Sequence, residues 1–176
     1  GYAGTSISEV SSRSGLPKSS IYWHFADKDA LFAAVIEDSY EQWRADFQAR
    51  NEGSRPDAQD VLARLHDSLS TFPAFLRFGH LVILERHEQD LTARTRFLEI
   101  RERALADLAD RFVEVDGMGR RSAEELAAVA LALIDGAFLA RTAGEPTLEG
   151  SDVLGRVFEA AVGSMRQPMS SADRSR

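Results

Sequence analysis

Apolar residues recur every three or four positions along almost the whole chain, and this repeat limits the fold more than any other feature. Such spacing places them on one face of an α-helix. Leu31, Phe32, Val35, Ile36, Tyr40, Trp43 and Phe47 make the longest series. Val61, Leu62, Leu65 and Leu69 make another, and Phe97, Ile100, Ala104, Leu108 and Phe112 a third. A sheet would need alternating β-branched runs joined by tight turns, and no such runs occur. The pattern predicts an all-α protein.

Turn formers cut the repeat into helices. Thr5 or Ser6 can cap a helix running to about Ser14, with Ile7 and Val10 inward and Gly15 ending it. Pro17 suits the first turn of a second short helix that runs to about Phe25. Asp27 can cap the long third helix. The stretch "NEGSRP" (51–56) is a loop, followed by a helix over about 57–72 that Pro73 ends. Helices are then expected over about 75–84, 92–115 and 123–143, with Ser122 as a cap and Glu125 at the capping-box position. Asp152 can cap a last helix to about Gln167, and residues 168–176 have the composition of a disordered tail.

The chain of 176 residues fits one domain, or a small module and a larger one. It has no cysteine, which excludes disulfides, thiolate metal sites and cysteine nucleophiles. No apolar run reaches the roughly 18 residues of a membrane span. No signal peptide is visible, so a cytoplasmic protein is expected. A net charge of −7 argues against general nucleic-acid binding by the whole surface. The charge is uneven, however. Residues 1–28 carry Arg13, Lys18 and Lys28 against Glu9 and Asp27, a net +1, and the rest of the chain carries −8.

The segment "GLPKSSIYWHF" (15–25) raises a packing problem, because Tyr22 and Trp23 are neighbours and cannot both enter one core. Two short helices joined at Gly15 have the spacing of a helix-turn-helix, whose second helix buries one face and offers the other to a DNA groove. Ile21 and Phe25 share the inner face. Lys18, Ser19, Ser20 and Tyr22 lie elsewhere, with Trp23 and His24 at the helix end. The small serines allow close approach. Lys18, Lys28, the Tyr22 hydroxyl, the Trp23 indole N–H and a protonated His24 can donate to phosphate oxygens.

The same residues carry a family resemblance. "GYAGTSISEVSSRSGLPKSSIYWHFADKDALFAAVI" resembles the DNA-binding segment of the tetracycline-repressor (TetR) family, through Thr5, Ser6, Val10, Gly15, Ile21, Tyr22, His24, Phe25, Lys28 and Leu31 at fixed offsets. The specific likeness covers about the first 36 residues, and beyond it only the order and length of helices is similar. It implies DNA binding by Thr5, Ser6, Lys18, Ser19, Ser20, Tyr22, Trp23, His24 and Lys28. It also implies a helix ahead of "GYAGT", which the sequence as given does not include. Ser11 stands where alanine is common, and Pro17 where serine is common. The resemblance divides the chain into a DNA-binding module over 1–27, a ligand-binding and dimerisation domain over 28–167, and the tail.

Residue patterns agree with that division. Helix 123–143 has two apolar sides. Leu126, Val129, Ala130, Leu133, Ala137 and Phe138 can face its own core. Ala128, Ala132, Asp135, Gly136, Leu139 and Ala143 remain for a partner, with Val157, Phe158 and Ala161 of the last helix. Two such helices from each copy make a four-helix bundle about a two-fold axis, so a homodimer is expected. Trp43, Phe72, Phe75, Leu76, Phe78, Phe97 and Phe112 can line an apolar cavity, with His80 or Arg101 as a polar contact. A filled aromatic core is the competing reading.

Motifs for catalysis are missing. His87-Glu88 begins like a zinc-protease pair, but Leu91 stands where the second histidine is needed, so no metal and no cofactor are expected. Asp135 has no histidine or lysine near it in sequence and fits helix packing. The leading expectation is a non-enzymatic, ligand-responsive transcription regulator. Its partners are an operator duplex, an apolar or aromatic effector and a second copy. The alternatives are a helical ligand-binding dimer that has lost DNA binding, and a helical enzyme around Glu85, His87 and Asp135.

Overall fold

The structure, a computed structural model, describes Tyr2 and residues 4–51, 60, 61, 63, 64, 67, 74–85, 92–144 and 153–166. Among these residues every regular element is an α-helix. They are α1 (Ile7–Ser14), α2 (Lys18–His24), α3 (Lys28–Asn51), α4 (Ala74–Leu84), α5 (Thr92–Asp116), α6 (Arg120–Thr142) and α7 (Val153–Arg166). Of the helix expected over 57–72, Asp60, Val61, Ala63, Arg64 and Asp67 are helical, and the rest lies outside the described residues. So do Phe72, Asp152, the tail and the His87-Glu88 pair.

Caps set most boundaries where the sequence places them. The Ser6 hydroxyl accepts the Glu9 N–H at 3.2 Å and starts α1. Gly15 ends it with φ 74°, a left-handed conformation that costs a residue without Cβ little. The Asp27 carboxylate accepts the Ala30 N–H at 2.8 Å and caps α3. Two starts differ from expectation. Pro17 sits at the N-cap of α2, one residue before the helix. Helix α6 begins at Arg120 with Gly119 as N-cap, whose carbonyl accepts the Ala123 N–H at 3.0 Å. Ser122 is therefore inside the first turn, and Glu125 pairs with Arg121 at 3.0 Å instead of closing a capping box.

The chain forms two compact units. The first comprises Gly1–Asn51 and Phe72–Glu102. Within it α1 packs on α2, and α3 runs along α4. Its core holds Ile36, Val82, Phe97 and Ile100, all essentially without exposure. Rings join along α3: Phe32 meets Phe78 at 5.4 Å, and Phe75 meets Tyr40 at 5.4 Å and Trp43 at 5.5 Å. Gly79 is the close-approach point, because a Cβ there would overlap the Phe97 ring.

The second unit comprises Glu52–Thr71 and Arg103–Arg176. Here α6 packs on α7. Leu108, Phe112, Ala123, Leu126, Ala127, Ala130, Ile134, Phe158 and Val162 are buried. Burying such side chains contributes about 1.5–3 kcal/mol each for the larger ones. Val129, expected inside, is 40 % exposed and lies toward the Ala132–Gly136 side of the helix.

Candidate nucleic-acid interface

Helix α2 has seven residues, and Ile21 is the buried one. The packing problem of Tyr22 and Trp23 thus has a structural answer: neither is core. Tyr22 is 54 % exposed and Trp23 84 %. An indole left this open loses the burial that normally justifies a tryptophan in a folded chain. Lys18, Ser19, Ser20 and His24 are exposed beside them. Phe25, half-buried, ends the helix, its N–H bonding the Ile21 carbonyl at 2.9 Å.

The turn that aims α2 is held by its own hydrogen bonds. The Ser11 hydroxyl donates to the Leu16 carbonyl at 2.6 Å. The Ser14 hydroxyl accepts the Leu16 N–H at 3.3 Å. Ser11 therefore has a structural task that an alanine there could not perform. The Pro17 carbonyl accepts the N–H groups of Ser20 and Ile21 at 3.0 and 3.3 Å, while no side chain caps α2.

Thr5 is half-buried and Ser6 exposed, and the Ser6 hydroxyl is engaged as the α1 cap. Lys28 is half-buried. Its Nζ donates to the Tyr2 carbonyl at 2.8 Å and stands 4.1 Å from the Tyr2 ring centre. Arg13 pairs with Glu9 at 2.8 Å on the exposed face of α1.

The candidate effector residues of the first unit are packed together. Phe75, Leu76, His80 and Phe97 are buried, and Trp43, Phe78 and Arg101 half-buried. His80 Nδ1 lies 2.7 Å from the Leu76 carbonyl, and its ring is 5.8 Å from Phe97. Arg101 lies 5.8 Å from the Phe97 ring centre. Phe112 is buried in the second unit. A cavity of about 520 Å³ in the first unit has a different lining, which includes Thr5, Val10, Leu31, Phe32, Val35 and Phe78. Phe78 alone belongs to the expected set.

Candidate dimer residues are mostly open. Ala128, Ala132, Gly136, Leu139, Ala143 and Val157 are exposed, and Asp135 and Ala161 half-buried. Phe158 is buried within its own unit. A Cβ at Gly136 would meet nothing within 4 Å.

Sequence reading gave Tyr2 and Asp29 no role and Glu85 one only in the enzyme alternative, yet hydrogen bonds join the three. The Tyr2 N–H donates to Glu85 at 2.9 Å and its hydroxyl to Asp29 at 3.4 Å. Burial, with the nearby carboxylates of Asp29, Asp27 and Glu85, pushes the Tyr2 phenol up to about 12, so it stays a neutral donor. Tyr2 and Glu85 are distant in sequence, and no local pattern announces their meeting.

Residues 1–35 match the family model described as bacterial regulatory proteins, tetR family. No curated protein matches the chain. Among solved structures, the crystal structure of a TetR transcriptional regulator from Legionella pneumophila is similar in fold. Its TM-score is 0.73 at 19 % identity, covering 94 % of this chain and 89 % of that one. Among the described residues, no helix is long and apolar enough to cross a membrane. Over residues 1–35, then, this chain carries the segment that marks the tetR family of bacterial regulators, helix-turn-helix included, on a TetR regulator's fold.

Proposed function

We propose that the chain is a dimeric transcription repressor in the cytoplasm that an apolar or aromatic small molecule releases from its operator. The observation that carries this reading is the surface of α2. One buried isoleucine anchors the helix, and its exposed side chains are a lysine, two serines, a tyrosine, a tryptophan and a histidine. Such a surface fits a major groove: small serines let the backbone approach, and donors meet phosphates at the edges. Thr5 and Ser6 extend it at the start of α1.

The exposed stripe of α6 and α7 supports a second copy as partner, placing two recognition helices on successive grooves. The cavity of the first unit, with Val10, Leu31, Phe32, Val35 and Phe78 among its lining, supports an apolar effector. Effector lowers operator affinity to the extent that it favours a different dimer geometry.

Selection from a randomised duplex library tests the reading. The wild-type chain should enrich an inverted repeat with half-sites about one helical turn, roughly 34 Å, apart. Recovery of unrelated sequences, or of none, would reject it and favour a ligand-binding dimer without DNA recognition.

A further inference from the structure

Between the turn ahead of α1 and the start of α3, four side chains close a hydrogen-bonded clasp. Lys28 and Asp29 open α3, immediately after the three residues that follow α2. Lys28 holds the Tyr2 carbonyl at 2.8 Å, and that carbonyl also accepts the Thr5 N–H at 3.2 Å, in the turn leading into α1. Tyr2 in turn bonds Glu85, just past the end of α4, through its N–H. Asp29 reaches furthest. Its carboxylate accepts the N–H groups of Thr92 and Ala93 at 2.6 and 3.1 Å, as well as the Tyr2 hydroxyl.

Thr92 and Ala93 are the first residues of α5. The first amides of a helix have no acceptor within it. Asp29 therefore caps α5 from a different helix, 63 residues away in sequence. A second tie joins the same two helices, since Arg96 Nε lies 3.4 Å from Glu37 Oε2. Helix α5 begins in the first unit, and its residues from Arg103 onward belong to the second.

We propose that this clasp, centred on Asp29, couples the DNA-reading helices to the start of α5, so that ordering one orders the other. The proposal rests on the DNA-binding reading above. Sliding or fraying of the first turn of α5 would cost Asp29 two bonds and loosen the base from which α1 and α2 are held. Lys28 on this account is a positioning residue: it holds Tyr2 and does not touch phosphate.

Amide hydrogen exchange on the full chain reads the coupling, alone and with a duplex that the wild type has selected from a randomised library. First-turn amides exchange by local fraying, so general stabilisation by bound DNA does not slow them. Bound duplex should slow the Thr92 and Ala93 amides roughly tenfold through the clasp. Asp29→Ala should abolish that slowing and weaken duplex binding roughly tenfold, with an unchanged dependence on salt. Asp29→Asn keeps an acceptor oxygen and should retain most of the slowing. Lys28→Ala should also weaken binding at constant salt slope, whereas loss of a phosphate contact lowers the slope by about 1. If Asp29→Ala does not fold, the wild type and Asp29→Asn decide. A wild type that binds duplex while Thr92 and Ala93 exchange unchanged overturns the clasp and leaves DNA reading standing. So does wild-type affinity in Asp29→Ala. A wild type that binds no duplex overturns both.

Discussion

Helices α2 and α6 both leave much of their surface open, yet the chemistry they present is opposite. From α2 project a lysine, serines, a tyrosine, a tryptophan and a histidine. The open side of α6 is Ala128, Val129, Ala132, Gly136 and Leu139, with Ala143 just beyond its end. The first surface is rich in hydrogen-bond donors and aromatic edges, and suits a polyanion. The second has small and aliphatic side chains, and suits another apolar helix at close range. Exposure by itself says that a face is uncovered among the described residues. The donors on that face, or their absence, say what kind of partner would gain by covering it.

The largest test of this contrast is a charge on the aliphatic side. Leu139 is 46 % exposed in the single chain, so Leu139→Glu should leave the fold intact. Across a two-fold interface it would bury unpaired carboxylates, at several kcal/mol per ion, and the dimer dissociation constant should rise about a hundredfold or more. Sedimentation with circular dichroism as the folding control measures this. An unchanged sedimentation coefficient would leave α6 an Ala-rich helix with no partner.

A change that strikes neither surface should harm the fold alone. Gly79→Ala drives a methyl into the Phe97 ring, which is buried and cannot swing into solvent. Overpacking of this kind costs about 1–3 kcal/mol. Denaturant unfolding should show that loss, while duplex affinity and dimerisation of the folded chain stay as in the wild type. A parallel loss of duplex affinity would mean that this core also shapes the DNA face.

Much of this was legible in the sequence. Ser6, Gly15 and Asp27 each act within a few residues of themselves, so cap chemistry placed the ends of α1 and the start of α3. The exposed face of α2 was legible for the same reason, since a short helix with one buried position exposes the others by geometry. What escaped depends on long-range pairing. Asp29 looks like any acidic residue in a first helical turn, and its task appears only when α5 arrives. Val129 and the start of α6 were misjudged because Ala-rich helices carry little periodic contrast. The aromatic residues of the middle helices were visible as apolar, but rings in contact and rings around a cavity share one sequence pattern.

The smallest expected effects lie on α2. Lys18→Ala should weaken binding to the selected duplex and lower the slope of log affinity against log salt by about 1. Tyr22→Phe removes one hydroxyl donor and should cost about 0.5–1.5 kcal/mol with no change in fold. If both variants bind as the wild type does, the polar face of α2 is solvent surface, and its contrast with α6 loses its meaning.

The most direct measurement uses the two tryptophans of the chain. Trp43 is half-buried beside Phe47 and Phe75, and Trp43→Phe leaves Trp23 as the single reporter. At 84 % exposure its emission should start near that of indole in water. Titration with the selected duplex should quench and shift that emission, saturating at two chains per duplex. Binding confirmed by anisotropy of a labelled duplex, with Trp23 emission unchanged throughout, would contradict the assignment of α2 as the helix that reads DNA.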